Sequence, residues 1–476
     1  MADTFAPARC LIDGHWSTPP GPVVEVIDPF TETTIGQVAD AGAELVDSAV
    51  RSAQSAHRLW CRTDVDERAA VLERTADLLE RDGETIAAVV TREMGMPISL
   101  ARATQAELPA AVLRATARAA RTLDWNTDID GAALLRRGSG VVGAITPWNM
   151  PVHQIVAKVS AALAAGSTVV LKASEMTPYD AEMLAGLFLE AGLPAGAFNL
   201  VTGVGPTTGA ALAGHDTLAH MSFTGSVTAG RAVAALAGQA LTRCTLELGG
   251  KSPAVILPDA DLDTAIPSAI ASGLVNSGQA CNAPTRLLVP QSLVAEVTDL
   301  IRAAVAEHTL GDPTDPTTKQ GPLASARQRD RVLDYVAGAV DAGGELLTGT
   351  GKPYDGSATG FFVEPTVITG LDENARAVRE EIFGPVIALQ TYTDIDDAVR
   401  IANDSAYGLS AEVWSGDTDR ARAVANHLDV GQVKINGVRT RTRPAVPFGG
   451  VKNSGYGREL GALGIEEFTD VTAVMA

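Results

Sequence analysis

Apolar residues in DVDERAAVLERTADLLER (Asp64–Arg81) recur three and four positions apart, the spacing of a helix that buries one face. Asp64 precedes the run and Glu67 follows three residues later, which predicts a capping box at its start. The same periodicity predicts helices over Ala41–Trp60 and Ile86–Met94, the second stopped by Gly95. From about residue 139 the pattern shifts to short continuous apolar runs separated by helical stretches. VVGAI (Val141–Ile145), TVVLK (Thr168–Lys172), FNLVT (Phe198–Thr202), HMSFT (His220–Thr224), TLEL (Thr245–Leu248) and AVIL (Ala254–Leu257) read as buried strands. Between them, Pro151 opens a helix to about Ala165. Thr177 is placed to cap a helix with Pro178 at its first position and Gly192 at its end. Shorter helices are predicted near Thr207–Ala213 and from Ser226 to about Gly238.

A second alternation follows. RLLV (Arg286–Val289), VIALQTY (Val386–Tyr392), AEVW (Ala411–Trp414) and GQVKI (Gly431–Ile435) read as strands, with helices at Asp394–Ala402 and Asp417–His427. Strand–helix alternation predicts parallel, doubly wound sheets, so the expected class is α/β with two domains. Open sheets of this kind bind ligands beyond the carboxyl ends of their strands. TGTGKPYDGSATG (Thr348–Gly360) reads as a surface loop.

The 476 residues exceed one core, in agreement with that division. A formal net charge of −20 argues against nucleic acid or an anionic membrane as partner. It leaves room for an anionic cofactor held by helix N-termini. No apolar run reaches the length of a membrane span, and the first residues lack signal-peptide architecture. The four cysteines form no CxxC pair or zinc spacing, and the seven histidines no HExxH, so no metal is expected. A reduced, cytoplasmic enzyme or binding protein is the class this points to.

The strand ends carry the candidate chemistry. VVGAI runs into TPWNMP, where the Asn149 amide is a neutral donor suited to an oxyanion, and is equally a turn residue between prolines. TVVLK ends in Lys172 with Glu175 close behind, a carboxylate for a ribose diol or a local ion pair. In FTGSVTAG, Gly225 permits close approach and Ser226 begins a helix, a phosphate site without the GxGxxG pattern. GGKS at Gly249–Ser252 lacks the earlier glycine of a phosphate-binding loop. ELGGKSP places Glu247 at a strand end as a candidate general base. EEIFGP brings an acid and an aromatic ahead of Gly384. NSGQACNAPTR surrounds Cys281 with small and amide side chains, which leave space beside the sulfur.

In this order, PWNMP, KASEMTP, FTGS, ELGGKSP, SGQAC, EIFGP and PFGGVKNSGYGRE resemble the NAD(P)-dependent aldehyde dehydrogenase superfamily over nearly the whole chain. The resemblance implies a hydrolytic enzyme that takes an aldehyde to a carboxylic acid. Cys281 would be the nucleophile, with its own backbone N–H and Asn149 as oxyanion donors. Glu247 would activate the water that cleaves the thioester, and Lys158 would relay protons. Lys172 and Glu175 would hold the adenosine ribose, Trp148, Gly225 and Ser226 the pyrophosphate region, Glu381 the nicotinamide ribose, and Phe383 would pack near the ring. Glu175 would repel a 2′-phosphate, which favours NAD, with NADP as the alternative.

By the same resemblance, the NAD-binding domain spans 1–118 and 139–246 and the catalytic domain 247–446. Segments 119–138 and 447–476 would form a small β extension for homodimers or homotetramers. The substrate pocket would be formed by Met150, His153, Gln154, Ala157, Ala280, Asn282, Arg439 and Phe448, roomier and more polar than an aromatic-lined one. Arg439, Arg441 and Arg443 could pair with the carboxylate of a semialdehyde or face a neighbouring subunit. The alternatives to this reading are an NADP-preferring semialdehyde dehydrogenase and a non-catalytic member of the fold. A cysteine hydrolase without a nicotinamide would need a Cys–His pair, for which only His153 is a candidate.

Overall fold

The computed structural model describes residues 4–357, 359–437 and 443–475. Two large sheets organise the chain. The first has eight strands, in the spatial order His15–Ser17, Cys10–Ile12, Phe198–Val201, Thr168–Lys172, Val141–Ile145, Leu218–Thr224, Arg243–Glu247 and Gly455–Tyr456. Its five central strands are parallel, and the flanking pairings are antiparallel. Val141–Ile145 and Thr168–Lys172 are buried at every position, as strands covered on both faces must be. The chain order runs outward from Val141–Ile145 in both directions. The topological switch therefore lies between that strand and Leu218–Thr224, and a crevice opens beyond their carboxyl ends.

Helix Pro151–Ala165 covers this sheet. It is apolar almost all round, begins with Pro151 at its first position and ends at Gly166 with φ 89°. The second sheet has seven strands, in the order Glu345–Thr348, Thr366–Thr369, Val386–Tyr392, Arg286–Pro290, Pro253–Ile256, Ser410–Trp414 and Gln432–Ile435. All its pairings are parallel except the first. A third, three-stranded antiparallel sheet joins Asn126–Ile129, Ala132–Gly138 and Thr469–Met475.

Several details differ from the sequence reading. Asp64 does cap helix Val65–Arg81, but through the N–H of Asp66 at 2.8 Å, the two-residue reach of an Asx turn. Thr177 offers no side-chain cap to helix Pro178–Glu190. That end is capped by Glu93, whose two carboxylate oxygens accept from Tyr179 N at 2.7 Å and Asp180 N at 3.2 Å. Glu93 thereby satisfies two of the orphan N–H groups at the helix start. Thr348 ends a strand rather than opening a loop. The segment from 447 onward does more than bridge: Gly455 and Tyr456 pair with Glu247 and Leu246 and complete the first sheet.

Candidate active site

The crevice at the switch point collects most of the strand-end residues. Strand Val141–Ile145 delivers Asn149, which is buried, with Nδ2 donating to Gln279 O at 3.0 Å. Asn276 Nδ2 in turn donates to Asn149 O at 2.9 Å. The Asn149 turn and the approach to Cys281 are thus tied together, and one Asn149 Nδ2 hydrogen is left over from these bonds. Asn276, Ser277 and Gly278 have φ values of 52°, 57° and 72°. Two consecutive non-glycine residues in the left-handed region store strain. The turn is held by Ser277 Oγ donating to Gly321 O at 2.7 Å. Gly278 is required there, since a Cβ would lie 2.0 Å from Gly384 O.

Cys281 lines a cavity of about 730 Å³. Burial, together with the charges of Glu247, Glu381 and Glu459, pushes its thiol up to about 12. Glu247 ends strand Arg243–Glu247 at 2% exposure, and neither carboxylate oxygen accepts a hydrogen bond from any described residue. Burial and then Glu459 hold it well above the usual carboxylate range, against the opposing charges of Lys158 and Arg458. Segment 447–459 closes over it: a Cβ on Gly449 would lie 2.7 Å from Glu247 Oε1. Lys158, fully buried in helix Pro151–Ala165, is ion-paired with Glu459, which also lines the cavity. The sequence reading assigned Lys158 alone. Glu459 stood at the end of a motif it had singled out, with no signal of its partner.

The cofactor candidates come from both large sheets and the segments connecting their strands. Lys172 Nζ and Glu175 Oε2 are 2.9 Å apart, with Lys172 buried and Glu175 partly exposed. Ser226 caps helix Val227–Gln239 by accepting from Ala229 N, which leaves its O–H free to donate. Glu381 Oε1 accepts from Gly250 N at 3.1 Å, and a Cβ on Gly249 would lie 2.0 Å from Oε2. Burial pushes Glu381 up to about 7. Phe383 adopts φ 63° and meets Trp148 edge to face, with ring centroids 5.5 Å apart. Lys251, within ELGGKSP but given no role in the sequence reading, is buried, and burial plus Arg286, against Glu381, pushes its ammonium down to about 7.

Met150 and, from the helix that follows it, His153, Gln154 and Ala157 line the same cavity, as do Ala280, Asn282 and Phe448. Burial and the Lys158 charge push the His153 imidazole down to about 4, so it is neutral in ordinary buffers. Gln154 Oε1 accepts from Thr224 Oγ1 at 3.3 Å. Arg439 and Arg441 lie outside the described residues, and Arg443 is exposed. Two cations that the sequence reading did not single out, Lys319 and Lys434, line the cavity.

A model of the aldehyde dehydrogenase family matches residues 16–474. A 3-succinoylsemialdehyde-pyridine dehydrogenase from a Pseudomonas species is 44% identical over 467 residues, 98% of this chain and 97% of that one. Among solved structures, a mutant of aldehyde dehydrogenase C from Pseudomonas syringae, complexed with NAD+ and octanal, superposes with a TM-score of 0.96 at 42% identity, covering 98% of this chain and 96% of its own. The betaine aldehyde dehydrogenase of Staphylococcus aureus with NAD+ gives 0.95 at 33% identity, covering 98% and 94%.

Proposed function

This chain belongs to the aldehyde dehydrogenase family, and from that premise we propose that it oxidises a bulky, largely apolar aldehyde to the carboxylic acid with Cys281 as nucleophile. The observation that carries the chemistry is the pairing of one cavity-facing thiol with one buried carboxylate that has no fixed hydrogen bond. A carboxylate so desolvated is a stronger base than in water and has free acceptor positions for a water molecule.

The reaction is the NAD-dependent oxidation of an aldehyde, in which NAD supplies the hydride acceptor. The residues present suit that group: a switch-point crevice, a ribose-sized acid at Glu175, and Glu381 lodged where no side chain could replace Gly249. The Cys281 thiol loses its proton to solvent in the cavity, and the thiolate sulfur attacks the aldehyde carbon. Asn149 Nδ2–H and the Cys281 N–H hold the oxygen that becomes negative, each donor worth about 3–4 kcal/mol in the transition state. Loss of hydride from the same carbon leaves a thioester on Cys281. Glu247 then takes a proton from water, which attacks the thioester and releases the acid. The Lys158–Glu459 pair, buried against Glu247, carries that proton away. Glu175 favours NAD over NADP, a choice read directly from the ratio of kcat/KM for the two.

Cavity size and small side chains support the substrate class. Ala103, Ala111, Ala157, Ala271 and Ala280 all line the wall, and 730 Å³ greatly exceeds a short aliphatic aldehyde. The relative complexed with octanal and the one named for a pyridine-bearing semialdehyde are consistent with such a tail. A carboxylated tail is the second reading, favoured by Lys319 and Lys434 on the same wall. Comparing kcat/KM for an ω-carboxy aldehyde and its methyl ester separates the two.

The three-stranded sheet ends in the edge strand Thr469–Met475, with Val471, Val474 and Met475 exposed. Such an edge is a template for pairing, and we infer a homo-oligomer built on it, its size to be read by sedimentation. The division into an NAD-binding part and a catalytic part follows the two large sheets. The decisive experiment mixes the protein with NAD and an aldehyde panel. NADH should appear in step with acid, and Cys281→Ser should abolish both while still binding NAD. Full turnover in that variant would overturn the assignment.

A further inference from the structure

Gln105 is completely buried, lies outside every motif, and is not among the residues lining the Cys281 cavity. It sits in a single wide π-helical turn, Arg102–Glu107, inserted between helices Ile98–Ala101 and Leu108–Thr122. Such turns are rare and recur near functional sites. On its outer side, Ala103, Thr104 and Glu107 form cavity wall. The Gln105 side chain lies behind that wall, and its hydrogen bonds run to residues that line it. Its Oε1 accepts from His153 N at 3.2 Å. Its Nε2 donates to Met150 Sδ at 3.2 Å and to Thr104 Oγ1 at 3.0 Å.

Those partners matter because of where they stand. Met150 precedes helix Pro151–Ala165 and offers it no side-chain cap. Pro151 has no N–H, and the first bond within the helix runs from Gln154 N to Met150 O. The His153 N–H is therefore one of the orphan donors of the helix start, and Gln105 caps it from another element. The residue before Met150 is Asn149. A neutral amide is suited to this place. It satisfies a helix-end donor without setting a negative charge beside the position where an oxyanion develops.

We propose that Gln105 is a positioning residue for the oxyanion turn, fixing Met150 and the first turn of the following helix from behind so that the wall gripping the acyl tail and the Asn149 donor move as one body. The inference rests on Asn149 serving the oxyanion. It predicts a specific split among rate constants. Misplacing a donor weakens the transition state more than the ground state, so the loss falls on kcat. Freeing Met150 and Thr104 loosens the tail wall, so the loss grows with the size of the aldehyde.

The test uses the whole enzyme with NAD, propanal as a short substrate and octanal as a long one. Gln105→Met keeps the length and removes every hydrogen bond. The acylation burst and kcat should fall about tenfold with propanal and further with octanal. NAD affinity by calorimetry and the alkylation rate of Cys281 by iodoacetamide should stay within twofold of wild type. Gln105→Asn, too short to reach both partners, should move the same quantities in the same direction and serves if the first variant does not fold. Rates within twofold of wild type for both aldehydes, or a loss that follows NAD affinity or melting temperature, would overturn the proposal. A wild-type enzyme that makes no NADH from any aldehyde would instead remove the reading beneath it.

Discussion

Glu93 and Glu247 are both glutamates at 1–2% exposure, yet they have opposite surroundings. Glu93 uses both oxygens to cap helix Pro178–Glu190, and Asp180 lies buried beside it. Glu247 accepts no hydrogen bond from any described residue, and Lys158, the nearest opposing cation, is already paired with Glu459. A buried polar group without partners costs stability, and its persistence needs a reason outside folding. The difference separates a carboxylate that holds structure from one left open for a reactant. Burial and raised basicity are common to both, so neither marks a catalytic residue. Acceptor positions left without a donor, within electrostatic reach of the Cys281 thiol, are what Glu247 has and Glu93 lacks.

The largest effect expected from this contrast is on turnover. Glu247→Gln keeps shape and removes the base, so steady-state kcat should fall about 100- to 10,000-fold. One equivalent of NADH should still form in a burst, because hydride loss precedes the step that needs Glu247. The melting temperature should hold or rise, since an unpaired buried charge has been removed. Glu93→Gln should do the reverse. One amide oxygen still caps one N–H and the other bond is lost, which costs about 1–3 kcal/mol of stability by denaturant titration with kcat nearly unchanged. If Glu93→Gln matched Glu247→Gln in turnover, the contrast would be wrong.

The two sites also differ in what pH reveals. Burial pushes Glu93 up to about 8 from an ordinary value of 4.5. Between those values the unfolded chain has released the proton and the folded one retains it. The contribution is therefore fully present below about 4.5 and is lost as pH rises toward 8. Melting temperature followed across that window should fall less steeply in Glu93→Gln than in wild type. Glu247 is also raised, but its titration should appear in rate: deacylation should speed up as pH rises through its ionisation. That limb should vanish in Glu247→Gln.

Much of the fold was legible because its signals are local. Buried parallel strands read as apolar runs, Pro151 and Pro178 marked helix starts, and the strand ends and the turns after them carried Asn149, Lys172, Gly225 and Glu247. Contacts that close the site were illegible for one physical reason. Glu93 reaches its helix across 86 residues, Lys158 meets Glu459 across 301, and Gln105 meets His153 across 48. No periodicity or cap pattern encodes such distances. Thr177 shows the resulting error: a good cap residue stood in the right place, and a distant carboxylate took the role.

Asp64 supplies the smallest and sharpest test. It is a third carboxylate that caps a helix, through Asp66 N at 2.8 Å, but it is exposed. Water solvates its charge in folded and unfolded states alike, so removing it forfeits one hydrogen bond and a weak dipole interaction and strands no buried donor. Asp64→Ala should therefore lower stability by only about 1 kcal/mol, and added salt should shrink the deficit. Both kinetic constants should match wild type for short and long aldehydes. Glu93→Gln performs a comparable deletion under burial, where neither water nor salt can compensate. A deficit for Asp64→Ala equal to that of Glu93→Gln would mean that capping alone, and not its desolvation, sets the difference between these carboxylates.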